Sequence, residues 1–294
     1  MSNATAIIAA QGPIRRGPIA LVEIARRNRG VLVGLGLVAA LFIIAALSPV
    51  ISPHDPTATA PDNAYLPPLS AGHVLGTDEL GRDQLSRVLW GARVSLPVAL
   101  VAVAVGLAGG GLIGLVSGYA GGLTDLLLMR VVDALLAFPA LILAIALVAA
   151  LGPSLRNAMI AIGIVAIPVY ARLVRAVVLQ LKQMEFVVAT RSLGATPLRL
   201  VLGHLVPNLM NPILVQVSLS AGFAILAEAT LSFLGLGAQP PTPDWGQMIT
   251  TGRTFLPNDP WLAIVPGAAI SITVYCFNLL GDSLRDALDP RLRS

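Results

Sequence analysis

Charged residues, thiols and amines are scarce in this chain. Asp, Glu, Lys and Arg together make up 12% of its 294 residues, and there is one cysteine. Because Cys276 stands alone, the chain cannot form an intramolecular disulfide. The single lysine, Lys182, follows a leucine rather than a glycine. The Gly-Lys-Ser/Thr ending of a phosphate-binding loop is therefore missing, and we expect no ATP hydrolysis by this chain.

Sequence signatures of catalysis and of metal binding are missing as well. The chain contains neither Gly-x-Ser-x-Gly nor His-Glu-x-x-His. Its three histidines, His54, His73 and His204, lie far apart, without the short spacings that typically hold a metal. We therefore predict no catalytic residues, no metal site and no cofactor on this chain.

Apolar residues, in contrast, are abundant and occur in long runs. They make up 56% of the chain, and the mean hydropathy of +0.82 is too high for a soluble domain. A helix needs about 20 apolar residues to cross roughly 30 Å of hydrocarbon. Six runs meet this requirement: 30–50, 94–117, 126–151, 158–177, 209–236 and 262–281. The predicted fold class is all-α, a polytopic membrane protein with six transmembrane helices, the first too long for a cleaved signal.

Basic residues predict how these spans are oriented. With the amino terminus inside, 14 of the 19 basic residues fall on the cytoplasmic side and 5 on the other. The tryptophans Trp90, Trp245 and Trp261 then fall near the outer ends of spans, where headgroups favour amphipathic rings. We expect both termini in the cytoplasm.

The spans divide the chain into four segments. We predict a cytoplasmic basic tail at 1–29, and a first transmembrane helix with a Pro-rich extracytoplasmic linker at 30–93. A compact transmembrane domain at 94–284 and a cytoplasmic carboxyl-terminal tail at 285–294 complete the chain.

Glycine recurs every fourth residue in the second span, at Gly106, Gly110, Gly114, Gly118 and Gly122. This spacing places the glycines on one helix face, where another helix backbone can approach closely. Static helix packing is the favoured interpretation, and a surface that slides during gating is the alternative.

A polar helical hairpin is predicted between the fourth and fifth spans. The first helix should end near Leu193, because Gly194 suits the left-handed position just beyond a helix end. Thr196 can cap a second helix with Pro197 at its first position, and this helix should run to Pro207. The hairpin would lie on the cytoplasmic face.

The hairpin resembles the "EAA loop" of ATP-binding-cassette importer permeases. The matching residues are Glu185, Ala189, Arg191, Gly194, Ala195, His204, Pro207 and Asn208. The resemblance implies that this loop is a coupling helix, seated in a cleft of a separate ATPase subunit. Thr190 departs from the pattern, since a second alanine is expected there, but its side chain is small enough for docking.

Other segments resemble the dipeptide, oligopeptide and nickel branch of the same family, and in particular its C-type dipeptide permeases. These segments are 73–83, 91–95, 231–237, 239–246 and 278–290, so the resemblance covers most of residues 30–292. It implies a permease of the bacterial inner membrane that imports short peptides, with nickel or another small solute as the alternative cargo.

The resemblance also implies partners. These are a homologous permease, two ATPases that bind ATP and Mg, an extracytoplasmic solute-binding protein and membrane lipid, without nucleic acid. An ion-coupled secondary transporter is the alternative from another class. It would require internal repeats and broken helices around an ion site, and the sequence shows no clear repeat.

Charged residues at three further places in the sequence are candidate functional residues. Glu228 lies within the fifth span, where it either lines a pathway or ties two helices through hydrogen bonds. Near the inner end of the third span, Arg130 and Asp133 are spaced to pair on one helix face, close to Asp125. An outer group comprises Asp78, Glu79, Arg82, Asp83, Arg87 and Arg93. A solvated amphipathic helix is slightly favoured for this group over a docking or gating surface for a binding protein.

Overall fold

A computed structural model of the chain describes residues 28–288, which form a bundle of helices. The helices are α1 (Arg29–Ile51), α2 (Gln84–Ala120), α3 (Gly122–Leu136), α4 (Ala140–Leu151), α5 (Leu155–Leu181), α6 (Glu185–Ser192), α7 (Pro197–Leu200), α8 (Val206–Phe233), α9 (Trp245–Gly252) and α10 (Trp261–Leu288). A π-helical turn, Val201–Leu205, joins α7 to α8 without a loop. The predicted all-α membrane fold is confirmed. Nearly all of the predicted basic tail, and residues 289–294, lie outside the described residues.

Within the described part of the chain, five helical stretches are long and apolar enough to cross a membrane. They are α1, α2, α5, the continuous stretch Pro197–Phe233 and α10. The prediction of one continuous third span at 126–151 is wrong, because α3 and α4 meet at an angle of 89°. Pro139 explains this break, since proline lacks an N–H and disfavours a helical conformation in the residue before it. Counted together, the bent pair gives a sixth span.

The glycine face of α2 packs closely against α5. A Cβ built on Gly106 would lie 2.7 Å from Ala166 Cβ, and one built on Gly118 would lie 2.9 Å from Val178 Cβ. At Gly110 and Gly114 the added Cβ would meet backbone carbonyl oxygens of α5. The glycines therefore allow the two helix backbones to come into contact.

Gly122 does not belong to this face, contrary to the prediction. Gly121 and Gly122 have φ angles of +69° and +56°, and they form the corner between α2 and α3. No atom lies within 4 Å of a Cβ built on either residue. The four-residue spacing continues past the end of the helix, so spacing alone overextended the face by one residue.

The bundle has two ends. The predicted hairpin lies at one of them, and the outer group of charged residues lies at the other. The hairpin end holds α6, α7 and the corner after α2. The linker end holds residues 52–83 and 234–260, between the starts of α2, α9 and α10. All three predicted boundary tryptophans lie at the linker end, and the Trp245 indole N–H donates to the Val88 carbonyl over 2.9 Å.

Candidate functional site

The corner of the hairpin is a helix end closed by glycine. Helix α6 ends at Ser192, and Gly194 has a φ of +82°. Its N–H donates to the Arg191 carbonyl over 3.0 Å, while the Ala195 N–H donates to the Thr190 carbonyl over 3.3 Å. This pair of hydrogen bonds is the Schellman arrangement, which satisfies the last carbonyls of a helix and reverses the chain sharply. The predicted corner is confirmed.

The second arm of the hairpin begins as predicted and continues further. Thr196 caps α7 by accepting a hydrogen bond from the Arg199 N–H over 3.4 Å, and Pro197 occupies the first helical position. The arm does not stop at Pro207, because α7 passes through the π turn into α8. A proline ring in an α-helix clashes with the carbonyl four residues earlier, and the wider turn gives the Pro207 ring that space.

A buried apolar cluster fixes the hairpin to the bundle. Its members come from α5, α6, α7, the π turn and α8: Val174, Val178, Leu181, Val187, Leu200, Leu205 and Leu209. Each of these side chains is at most 7% exposed. Burying apolar side chains stabilises their contact by about 1.5–3 kcal/mol each, so the corner is held as a rigid projection rather than as a free loop.

Lys182 reinforces this attachment. Its ammonium donates to the carbonyls of Gly118 and Tyr119, over 3.1 and 2.8 Å. These are the last carbonyls of α2, which have no partner within their own helix and favour a nearby positive charge. The single lysine of the chain therefore joins the end of α5 to the end of α2, immediately before the hairpin.

The outer surface of the hairpin carries exposed leucines. Leu193, Leu198 and Leu202 are 88%, 69% and 59% exposed. Exposed apolar side chains clustered on a polar projection are typical of a surface that another protein covers. The sequence-based site omitted these leucines because it followed the family pattern. For Leu193 and Leu198, the positions beside Gly194 and in the first turn of α7 are a signal that could have identified them, whereas Leu202 lies in the π turn and had no such signal.

The residues predicted for coupling are divided between this surface and the interior of the hairpin. Glu185, Ala189, Arg191 and Gly194 are exposed, whereas Ala195, His204 and Pro207 are half-buried. The ring centroids of His204 and Phe186 lie 6.2 Å apart, so His204 packs between the two arms. The Asn208 side chain donates to the His204 carbonyl over 2.6 Å and supports the π turn. His204 and Asn208 thus set the shape of the hairpin.

Two ion pairs join α3 to α5 near the hairpin end. Arg175 donates two hydrogen bonds of 2.6 Å to the Asp125 carboxylate, which also accepts one from the Ser117 hydroxyl. Asp133 pairs with Arg172 over 2.7 Å. The predicted partner of Asp133, Arg130, is therefore replaced by a residue of another helix. Spacing along one helix could not show that α5 brings two arginines to α3.

At the linker end, the outer charged group is not a solvated helix, contrary to the prediction. Asp78, Arg82, Asp83 and Arg87 are each less than 9% exposed. Arg82 and Arg87 both pair with Asp78, at 2.7 and 3.3 Å. Burial and the adjacent Asp78 charge raise the pKa of Glu79. The network runs from the linker into the first turn of α2, where Arg87 lies, and its burial makes it a structural core of this end rather than a docking surface.

Glu228 lies in the interior near the same end. Its side chain is fully buried, and the Ser232 hydroxyl donates to one of its oxygens over 2.8 Å. The carboxyl of Asp244, the N-cap of α9, is also fully buried and lies beside it, and neither Glu228 Oε2 nor Asp244 Oδ2 makes another hydrogen bond within residues 28–288. Of the two interpretations of Glu228, this geometry favours the tie between helices over the pathway residue.

Comparison with known proteins identifies the family. Residues 110–294 match the model of the binding-protein-dependent transport system inner membrane component. Residues 24–68 match the N-terminal TM domain of oligopeptide transport permease C. The dipeptide transport system permease protein DppC of Alkalihalophilus pseudofirmus is 45% identical over 269 residues, 92% of this chain and 88% of that protein. The di/tripeptide permease DppC of Pseudomonas aeruginosa is 45% identical, over 91% of this chain and 90% of that protein.

Solved structures agree at the level of the fold. The MetNI methionine ABC transporter, in inward-facing conformations, matches with a TM-score of 0.59 and 19% identity, over 70% of this chain and 98% of that chain. An amino acid ABC transporter matches with a TM-score of 0.54 and 17% identity, over 67% of this chain and 92% of that chain.

These matches decide between the classes of function considered from the sequence. The ion-coupled secondary transporter is excluded, because the family is a permease component of ATP-driven importers and is not catalytic. Such an importer includes ATPase and binding-protein partners. The chain belongs to the family of binding-protein-dependent transport system inner membrane components, the multi-pass permeases of bacterial ATP-binding-cassette importers.

Proposed function

We propose that this permease imports short peptides and that the exposed corner around Gly194 is the surface on which its ATPase acts. The observation that carries the coupling role is the rigid attachment of the corner. It projects apolar leucines outward, is packed against α5, and continues through the π turn into α8. A displacement applied there moves a transmembrane helix directly.

Peptide cargo is supported by the relatives, which are named as dipeptide and di/tripeptide permeases. Nickel or another small solute is the alternative cargo. The test is uptake by the complete importer in proteoliposomes, with ATP inside the compartment where the ATPases lie. We expect a labelled dipeptide to accumulate and unlabelled dipeptides to compete, whereas competition by Ni²⁺ alone would contradict the peptide assignment.

The complete importer is proposed to contain a second, homologous permease, two ATPase subunits that bind ATP and Mg, and an extracytoplasmic binding protein. The hairpin end would face the cytoplasm with both termini, and the linker end would face outward. The excess of basic residues on the hairpin side supports this orientation.

Single cysteines can test the orientation, because the natural Cys276 is buried and can be replaced by serine. In that background we expect Leu69→Cys, at the linker end, to react with a membrane-impermeant maleimide on spheroplasts. Leu198→Cys should react only after the membrane is opened. The reverse pattern would place the corner outside and overturn the coupling proposal.

The docking surface can be tested by replacing one exposed leucine. Leu198→Ser should weaken association with the ATPases by about tenfold, the effect of removing a contact worth roughly 1–2 kcal/mol. Leu69→Ser is the matched control, since Leu69 is 85% exposed but lies at the linker end. Equal ATPase recovery from both variants and the wild type would contradict the assigned surface.

A further inference from the structure

The linker end brings together two histidines and a carboxylate that are distant in the sequence. His54 follows α1, His73 lies in the linker, and Asp83 caps the start of α2. One potential ligand atom from each residue, a ring nitrogen or a carboxylate oxygen, lies within 4.8 Å of the other two. The prediction of no metal site rested on spacing along the chain, and that spacing could not show this grouping.

The two rings share one oxygen of the carboxylate. Asp83 Oδ1 lies 2.9 Å from His73 Nδ1 and 3.7 Å from His54 Nδ1. In a tetrahedral site with bonds of about 2.0–2.1 Å, ligand atoms are roughly 3.4 Å apart, a value between these two distances. The His54 side chain is 41% exposed and stacks on the His73 ring, with centroids 4.7 Å apart, while the side chains of His73 and Asp83 are 11% and 0% exposed.

The hydroxyl of Ser86 connects Asp83 to the backbone of His54. Ser86 donates its backbone N–H and its hydroxyl to Asp83 Oδ2, over 2.8 and 2.7 Å. The same hydroxyl accepts the His54 backbone N–H over 3.1 Å. The second oxygen of the carboxylate is thus engaged in capping, while Oδ1 lies within hydrogen-bonding distance of His73 Nδ1, a contact that a bound ion would replace. Such outer hydrogen bonds, which fix a carboxylate ligand, are a regular part of protein metal sites.

The charge of this carboxylate also favours a bound cation. Asp83 is fully buried at its side chain, and among residues 28–288 its ion pairs are with the two histidines. The arginines of the adjacent network pair with Asp78 and Glu79 instead. Burying a carboxylate is costly unless it is paired or coordinates a metal. A divalent ion bound at Oδ1 would provide that compensation.

We propose that His54, His73 and Asp83 form a binding site for a divalent transition metal ion of the zinc class. Imidazole nitrogen with one carboxylate oxygen suits Zn²⁺, Ni²⁺ or Cu²⁺ better than Mg²⁺ or Ca²⁺. A cavity of ≈ 620 Å³, lined by His54 and Trp90 among others, adjoins the site, and a water molecule could reach a fourth position from it. The ion clamps the end of α1 to the start of α2.

The test uses the full-length chain purified without a polyhistidine tag, stripped with chelator and placed in lipid nanodiscs. Titration with ZnCl₂ in a calorimeter, in millimolar MgCl₂, should show one ion bound per chain. CoCl₂ should give the visible absorption bands of four-coordinate Co²⁺, which Zn²⁺ then displaces. Binding that Mg²⁺ abolishes, or absence of saturable binding, would overturn the proposal.

Variants locate the site. His54→Gln and His73→Gln should each weaken Zn²⁺ binding by more than the ~10–100-fold that follows loss of an outer hydrogen bond. Ser86→Ala should lie within that range, because it removes the hydroxyl and no ligand. His204→Gln and Cys276→Ser are matched controls at the hairpin end and in α10, and they should retain wild-type affinity.

Folding of the variants is checked by thermal unfolding in the presence of chelator. His54 is partly exposed, so His54→Gln should unfold within about 2 °C of the wild type, and its loss of binding then reports the site itself. Zn²⁺ affinity unchanged in both His54→Gln and His73→Gln, or lost in His204→Gln, would refute the assignment. None of these measurements depends on peptide transport or on the ATPases.

Discussion

The carboxylate of Asp125 accepts two hydrogen bonds of 2.6 Å from the guanidinium of Arg175. This bidentate pair attaches the first turn of α3 to α5, about one turn along α5 and two turns along α3 from the pair of Arg172 and Asp133. The two pairs differ in their surroundings. The side chains of Asp125 and Arg175 are 18% and 34% exposed, whereas those of Asp133 and Arg172 are 51% and 57% exposed.

Asp125→Ala should therefore lower the stability of the purified chain by about 1–2 kcal/mol, since a charged bidentate pair and the Ser117 hydrogen bond are lost. Asp133→Ala is the control, and it should change stability by less than about 0.5 kcal/mol because exposed pairs contribute little. Thermal unfolding in detergent measures both. Equal effects would mean that the difference in exposure does not decide the strength of the two pairs.

Replacing Gly194 tests the geometry of the corner. At a φ of +82°, a side chain strains the backbone by ~1 kcal/mol, although no atom lies within 4 Å of the added Cβ. Gly194→Asp adds a charge between the exposed leucines as well. It should leave the protein inserted in the membrane and abolish ATP-dependent uptake in proteoliposomes.

Gly235 provides the control for that strain. Its φ is +78°, and a Cβ built on it likewise meets no atom within 4 Å, but it lies at the linker end. Gly235→Asp should retain ATPase stimulation by the permease. Full uptake by Gly194→Asp would exclude the corner as the coupling element.

The helix contact between α2 and α5 can be tested at adjacent glycines. Gly110→Ala places a methyl group against the backbone of α5 and should cost about 1–3 kcal/mol, the usual range for overpacking. In Gly111→Ala the added carbon lies 3.6 Å from its nearest neighbour, an ordinary contact, so no loss is expected. The thermal unfolding midpoints of the two variants are compared in the same detergent. Similar midpoints would contradict close packing of α2 against α5 at Gly110.

Glu228→Gln separates the two roles considered for this buried side chain. Glutamine keeps an oxygen for the Ser232 hydroxyl and gains an N–H that can donate to Asp244. If Glu228 ties α8 to the start of α9, the variant should retain both stability and at least about half of wild-type uptake. Normal stability with no uptake would instead assign the carboxylate to the transport pathway.

Local chemistry made the hairpin predictable from the sequence. Gly194, Thr196 and Pro197 act through their own backbone preferences, within a few residues, and each is found in its expected place. The break near Pro139 had a local signal too, but the apolar run across it concealed the signal. The π turn was not predicted, because it depends on how the Pro207 ring is accommodated in a helix that continues.

The linker end was the least predictable part. Because charged residues are mostly exposed in proteins, its charges predict a solvated surface. In the structure, Arg87 reaches back 31 residues to the Pro56 carbonyl, over 3.0 Å. His54 and Asp83 are 29 residues apart and meet because the linker folds back on itself. No helical or strand period relates such positions, so only the path of the chain reveals the contact.

The uninterrupted stretch Pro197–Phe233 has a mechanical consequence. At 1.5 Å per residue its 37 residues form a rod of about 55 Å, longer than the hydrocarbon layer is thick. A displacement of its hairpin end is therefore transmitted to its linker end, because no flexible loop interrupts the helix. Bending of this helix would concentrate at the π turn of residues 201–205 and at Pro212, where the regular backbone hydrogen bonds of the helix are interrupted.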